Sequence, residues 1–568
     1  MGKLSSMTVV SLAALIIACT PATPGTSTVV APPSQPASQR TLVVALRVEP
    51  ASLLLRPPRE VFFFVDYLMM FNADIAAVDD HGARLPYLVE SLPQVNSDSW
   101  QVFADGRMRT IYRLRPNLTW HDGTPLSAED FVFGYQVYAT PDIGLSQQPP
   151  FNAIEQVEAP DARTLVINWK RPYPDAGHMT GRDRNFPAVP RHLLEGYFAS
   201  ESVEAFLTRP YWSREFLGLG PYRVANWEPG SFIEAVSFEG HATGKPKIDR
   251  LKVVFIPDAN TALANMLSGE VAVAAAGTLS IAGAQTLKQE WDAKRGGSVF
   301  YQFPNWHGLS VQFLPALTSP RALQDVRVRK ALAHAIDRPE INEAINGGIA
   351  QEADYYLSPD GEWGREVQRG AIKYGYDLQR SEQLMREAGF EKGSDGIYSS
   401  PTEGAFNVEV RSGIGAAALE LAALADNWER AGFRITQRTF APALLLDPEV
   451  KLGLPGMFLT TLLATERTAV APVPGNIPTP DNGWRGGSQI SWTHPEYTRL
   501  VGQLNSTLDR AQRGEPMTQM ARISTDDVAV ISLHFPPAIW AATASVTGPH
   551  EAPPEAVVFW NIHTWESS

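Results

Sequence analysis

The chain opens on an apolar run over residues 9–18, preceded by Lys3 and followed at once by Cys19. A positive residue, a short apolar stretch and a small residue at its end have the layout of an export signal, and the run is too short to cross a bilayer. Residues 20–40, "TPATPGTSTVVAPPSQPASQR", exchange large apolar residues for proline, serine and threonine. No core can be buried there, so a tether is expected. Alternation begins with "TLVVALRVEP" (41–50), a first strand rich in β-branched residues.

Beyond it, "VFFFVDYLMMFN" carries helix-like apolar spacing, Asp80-His81-Gly82 predicts a turn, and a strand-rich region runs to about Trp169. Residues 220–239 read as a hairpin turning at Glu228-Pro229-Gly230-Ser231. A strand "IDRLKVVFIP" and a helix "ANTALANMLSGE" stopping near Gly269 make a βα unit. From Val326 the period turns helical: Val326, Val328, Ala331, Leu332 and Ala335 share a side, ending at Asp337-Arg338-Pro339. Helices are predicted over 377–388, closed by Gly389, and 416–431, closed by Gly432, with a strand "FRITQRTF" after the second. The class is α/β with mixed sheets, without an internal repeat or a transmembrane span after residue 19.

At 568 residues the chain exceeds what one core serves well, so two to four lobes are expected. With 44% hydrophobic and 19% charged residues it should be ordered and globular. A net charge of -13 argues against nucleic acid as a partner, because no cluster of lysine and arginine is present to neutralise phosphates. The single cysteine excludes internal disulfides and a cysteine-based zinc site.

The densest candidate chemistry is "HDGTPLSAEDF" (121–131), with one histidine and three carboxylates. Asp122-Gly123 is a turn signal, and Ser127 with Asp130 has capping-box spacing before the apolar "FVFGYQVY". His121, beside Trp120, is expected to be a packed surface histidine, since the spaced partners of a zinc ligand are absent. Arg327, Arg329 and Lys330 are expected on a solvated helix face and Asp337 at a helix end. His-Glu-x-x-His, Gly-x-Ser-x-Gly, P-loop and Gly-x-Gly-x-x-Gly patterns are absent, and "GGSQISW" (486–492) is not a nucleophile elbow. No catalytic residue, metal ligand or cofactor is assigned.

The stretch "YRLRPNLTWHDGTPLSAEDFVFGY" resembles the signature of the bacterial extracellular solute-binding proteins of family 5, the peptide- and nickel-binding proteins of ABC importers. Segments similar to the family follow in family order: "DDHGARLPYLVESL", "GLGPYRVANWEPGSFIEAV", "IDRLKVVFIPDANTALANMLSGEV", "LQDVRVRKALAHAIDRPEINEAINGG", "YDLQRSEQLMREAGF" and "ISLHFPPAIWAATASVTG". Ala272 departs from the family's aspartate, and Gln312-Phe313 from its usual Phe-Asn. Ile16-Ile17-Ala18-Cys19 resembles a lipobox, which implies cleavage before Cys19 and acylation of its thiol; an ordinary signal peptide is the plainer alternative.

The resemblance implies a two-lobed Venus-flytrap fold of the periplasmic-binding-protein type with an additional subdomain. Its expected division is a signal peptide (1–18), a tether (19–40), lobe I (41–87, 218–305 and 530–568), the extra subdomain (88–217) and lobe II (306–529). A monomeric, lipid-anchored extracytoplasmic protein would then trap a peptide-like solute between its lobes and deliver it to a membrane permease with its ATPase. An oligosaccharide or a metal chelate is the alternative solute; a surface hydrolase or a peptide-sensing, chaperone-like lipoprotein is the alternative of another class.

Peptide-binding relatives hold the peptide's amino group with an aspartate in a segment that corresponds here to "GLPGMFLTTLLATERTAVAPVPGN", where only Glu466 beside Arg467 is acidic. Glu466 takes over that role, or the two form an exposed ion pair. Asn305 and Trp306 lie at the expected crossing between lobes, in "NWH", and Trp484 and Trp492 flank "RGGSQIS". These six residues are the candidate ligand contacts, the tryptophans through stacking on a sugar or covering a cation.

Overall fold

The structure, a computed structural model, describes residues 40–54, 67–143, 145–146, 148–179 and 186–568. Cys19, the export signal and most of the tether lie outside these residues, as does the first half of the apolar run at 61–72. Of that run, Leu68–Phe71 forms a single helical turn.

Two large mixed sheets organise residues 40–568. Thr41–Leu46 alternates as expected and pairs in parallel with Arg250–Phe255 on one side and Val273–Ala274 on the other. The hairpin of Tyr222–Glu228 and Phe232–Ser237 extends this first sheet. Its turn closes with the Ser231 N–H donating to the Glu228 carbonyl at 3.1 Å, and φ of +73° at Gly230 is the left-handed conformation that glycine takes without strain. Gly297–Gln302 and Ala538–Thr543 complete the seven strands.

The second sheet has six strands, in the spatial order Gln351–Glu352, Val530–Phe535, Asn305–Val311, Met457–Leu463, Asn407–Gly413 and Arg434–Phe440. Both faces are covered, which is what its long apolar runs require. Leu309 and Val311 enter the core under helices Val326–His334, Leu378–Glu387 and Ala416–Ala431. Trp306 enters the opposite core with helices Pro495–Ser506 and Gly514–Asp526. The predicted helix closures hold, with φ of +87° at Gly389 and +103° at Gly432.

A smaller antiparallel sheet joins Trp100–Val102, Met108–Arg113, Thr164–Trp169 and Ile154–Asp161, beside helix Ala128–Ala139. The capping box is formed: Asp130 Oδ2 accepts from the Ser127 N–H at 2.9 Å and from its hydroxyl at 3.2 Å. Asp130 Oδ1 also accepts from the Arg191 N–H at 3.0 Å, so one carboxylate fixes a helix start to a distant segment. Asp122 accepts from the Thr124 N–H and from His192 Nε2, both at 2.9 Å.

Two expectations are corrected. His121 is buried rather than at the surface: Nε2 lies 2.9 Å from the Gly220 carbonyl, and Nδ1 accepts from the Gly218 N–H, so the ring is a strut between two chain segments. Arg329 is buried rather than solvated. It donates to the carbonyls of Leu323, Gln324 and Asp527 and to the Asp527 carboxylate, over the Phe313 ring. Arg327 remains exposed and pairs with Asp325. Asp337 caps the next helix, accepting from the Glu340 N–H at 3.0 Å. Val530–Phe535 pairs with Asn305–Val311 in the second sheet, and the chain changes sheets at residues 536–537.

Burial pushes four imidazoles down, His121, His534 and His563 to about 4 and His241 to about 3. The unfolded chain takes up these protons first, so stability is constant above about pH 6.5 and falls as the pH drops from there towards 4. For His121 alone the loss reaches roughly 3 kcal/mol. Urea unfolding across this interval should show that slope, and a smaller one in His121→Asn; equal slopes would contradict the assignment.

Candidate functional site

The chain passes between the two large sheets along two neighbouring strands. Gly297–Gln302 leaves the first sheet, breaks at Phe303-Pro304 and continues as Asn305–Val311 in the second. Val530–Phe535 leaves the second, breaks at Pro536-Pro537 and continues as Ala538–Thr543 in the first. The partners are antiparallel in both sheets, with Gln302 opposite Ala538 and His307 opposite His534. Proline lacks the N–H a ladder needs, so pairing is interrupted on both strands at the same level.

Register places one edge of each sheet beside these breaks. In the second sheet Asn305 stands opposite Leu463, and the parallel strands ending at Gly413 and Phe440 point the same way. In the first sheet the parallel strands ending at Leu46, Phe255 and Ala274 point towards the breaks. The carboxyl ends of the parallel strands in both sheets therefore border one crevice, the position where open α/β sheets take ligands.

That border is apolar. On the second sheet's side Ile414 is 56% exposed, Leu419 68%, Leu444 52% and Leu463 40%, and Val48 on the first sheet's side is 64% exposed. Ile414 follows the strand ending at Gly413, and its N–H donates to the Phe440 carbonyl at 3.2 Å. Leu444 lies in the turn just after Phe440. Exposed large apolar side chains gathered at one edge mark a binding surface more often than scattered ones do.

Charged groups tie the two sides together. Arg84 pairs with Glu362 at 3.4 Å, and Arg510 pairs with Glu362 at 2.6 Å and with Asp175 at 3.5 Å, its guanidinium over the Trp363 ring. Burial alone would raise the Glu362 carboxyl, but the hydrogen bonds and charges of Arg510 and Arg84 outweigh it and hold the group below its ordinary value. Gln285 Nε2 donates to the Gly347 carbonyl at 3.4 Å, a further link between the sides.

The six candidate contacts divide. Asn305 stands at the crevice edge, and its buried Oδ1 has no hydrogen-bond partner. Glu466 starts the short helix after Leu463, where Arg467 follows it, and its carboxylate pairs with buried Arg513. Arg513 also donates to the carbonyls of Leu504 and Thr507 at 2.8 and 2.7 Å. Trp306 has no accessible surface and donates to the Ser532 hydroxyl at 3.1 Å. Trp492 is likewise buried, edge-on to Tyr497 and donating to Asp527. Trp484 is half-buried against Gly453, with a left-handed φ of +61°.

Sequence reasoning missed Ile414, Leu444, Leu463, Arg510 and Arg513. Strand-end position was the available signal for the first three; no local pattern joins Arg84 to a carboxylate 278 positions away. A separate groove of about 410 Å³ lies along Trp291, Arg295 and Phe300, at the end of the first sheet remote from the breaks. No group of three or more His, Cys, Asp or Glu side chains suited to a metal occurs among the described residues, and no helix among them is long and apolar enough to cross a membrane.

The profile described as "Bacterial extracellular solute-binding proteins, family 5 Middle" matches residues 92–465. A Brucella ovis protein, named for ABC transporter peptide binding, is 27% identical over 289 residues. The match spans 50% of this chain and about half, 51%, of that relative. Among solved structures, the oligopeptide-binding protein of Thermus thermophilus complexed with a pentapeptide superposes with a TM-score of 0.71 at 18% identity, covering 93% of this chain and 96% of that one. NikA of Brucella suis in complex with Fe(III)-EDTA gives 0.74 at 16%, covering 93% and 100%. These likenesses establish an α/β periplasmic-binding-protein fold with several mixed sheets.

Three substitutions separate framework from surface. Glu466→Gln leaves the Arg513 charge buried and should cost about 3 kcal/mol, and Trp306→Ala should cost roughly 3–5 kcal/mol. By contrast, Ile414→Ala should stay within about 0.5 kcal/mol. Urea denaturation checks all three; a neutral Trp306→Ala would show that the ring is not part of the framework.

Proposed function

Because the chain belongs to the bacterial extracellular solute-binding proteins of family 5, we propose that it is the non-enzymatic binding component of an ABC importer, taking a peptide-like solute with apolar side chains. The solute is held in the crevice between the two large sheets and passed on to a membrane permease. In this reading the first sheet forms one lobe, the second sheet the other, and the four-stranded sheet an added subdomain. The halves close by bending at residues 303–304 and 536–537. Cys19, acylated, holds the folded body at a membrane through the tether.

The observation that carries the choice of solute is the apolar border formed by Ile414, Leu419, Leu444 and Leu463. Each large apolar side chain that closure removes from water contributes about 1.5–3 kcal/mol. An oligosaccharide needs a border rich in hydrogen-bonding groups, and these four side chains offer none. Asn305 Oδ1, buried without a hydrogen-bond partner in this structure, becomes an acceptor for a peptide N–H once the halves part. Glu466 is a weaker candidate for the amino group, since Arg513 already matches its charge.

Thermal-shift screening discriminates among the solutes, because only a molecule that binds the folded form raises its stability, by about 2.7 kcal/mol at a hundred times Kd. Pentapeptides with leucine or phenylalanine side chains should raise Tm, while serine-rich pentapeptides, maltooligosaccharides and Fe(III)-EDTA should not. Leu463→Asp should abolish the rise. Stabilisation by a saccharide or the chelate alone would overturn the choice of solute. For the anchor, Cys19→Ser should move the protein from the membrane to the soluble fraction.

A further inference from the structure

A second group of side chains near the breaks takes no part in holding solute. His307 and His534 face each other on the two strands that cross between sheets, their rings stacked with centroids 5.4 Å apart. Glu420 reaches both from helix Ala416–Ala431: one oxygen lies 2.9 Å from His307 Nε2, the other 3.7 Å from His534 Nε2. All three are buried. Thr461 Oγ1 lies 2.7 Å from His307 Nδ1, and Asn346 Nδ2 lies 3.2 Å from His534 Nε2. The cluster thus joins both crossing strands to the helix above them, three residues beyond Pro304 and two before Pro536.

Its charge capacity is limited. One carboxylate balances one protonated imidazole but not two, and burial keeps water from screening the second. The neighbouring elements do not help. Thr461 and Asn346 are neutral, exposed Glu352 stands opposite His534 on the outer strand, and buried Arg338 donates to the Ser532 carbonyl with Glu352 and Asp354 as its charge partners. Burial holds the His534 imidazole down at about 4, so it is neutral at neutral pH. Burial alone would raise the Glu420 carboxyl, but the charges and hydrogen bond of the imidazoles outweigh it and keep the group below its ordinary value.

We propose that His307, Glu420 and His534 form a proton-sensitive clamp on the two crossing strands, which a second protonated imidazole releases so that the halves swing apart. The proposal rests on the reading that these strands are the hinge. With at most one proton on the imidazoles the cluster pins both strands under the helix. When both imidazoles are protonated, two stacked cations share one carboxylate and the strands separate.

The test reads the distance between the halves without solute. Spin labels at Leu267→Cys and Leu378→Cys, both exposed and on helices beside different sheets, are introduced with Cys19→Ser, which removes the one native cysteine. Pulsed electron paramagnetic resonance is recorded from neutral pH down to about 4, with circular dichroism to confirm that the fold persists. The parent protein should show a longer, broader distance distribution as the pH falls through about 4, and His534→Gln should hold the neutral-pH distribution throughout. His307→Gln should do the same, and carries the comparison should His534→Gln not fold. An invariant distance in the parent, or equal movement in parent and variants, overturns the clamp. Neither result bears on the solute, which the thermal-shift screen decides independently.

Discussion

Everything that sets this molecule apart from two independent α/β layers depends on two strands, each broken by proline, lying side by side. Gly297–Gln302 and Ala538–Thr543 are paired in one sheet, and their continuations Asn305–Val311 and Val530–Phe535 are paired in the other. Pro304, Pro536 and Pro537 remove the backbone donors that would make the ladder continuous. The two sheets are thereby coupled through two short breaks without ladder hydrogen bonds, and the space bordered by their strand ends lies beside those breaks.

The groups around this space perform different tasks. Arg84, Glu362, Arg510 and Asp175 join distant segments through partly exposed ion pairs, which contribute modestly. Glu466 and Arg513 pair within one side, where Arg513 also secures two helix-end carbonyls. The large apolar side chains at the border remain in contact with water, and that unmet burial is the driving force available to a solute. His307, Glu420 and His534 stand one layer deeper and bear on the strands rather than on the solute.

Much of the fold was legible because its signals are local. Gly389 and Gly432 end helices, Ser127 and Asp130 begin one, and Gly230 makes a tight turn; neighbours a few residues apart determine each. Burial was legible only in part. Arg329 lies on a helix whose spacing offers it to solvent, yet the carbonyls of Leu323, Gln324 and Asp527 and the Asp527 carboxylate supply enough acceptors to bury it. His121 is buried by the same logic, with Gly218 and Gly220 as partners nearly a hundred positions away. For the site, the sequence offered Asn305 and three tryptophans as candidate ligand contacts. Trp306 and Trp492 went to the core, their indole N–H groups satisfied there by Ser532 and Asp527, and the aliphatic side chains at strand ends were inconspicuous among many similar residues. The Glu466–Arg513 pair required a long-range contact that spacing cannot reveal.

The central claim is that the crevice beside the two proline breaks holds an apolar peptide and closes on it. Small-angle X-ray scattering of the full chain, with and without a saturating leucine-rich pentapeptide, tests this most directly. The radius of gyration should fall with the peptide and stay unchanged for Leu463→Asp. Peptide binding without compaction, or equal compaction in the variant, would contradict it.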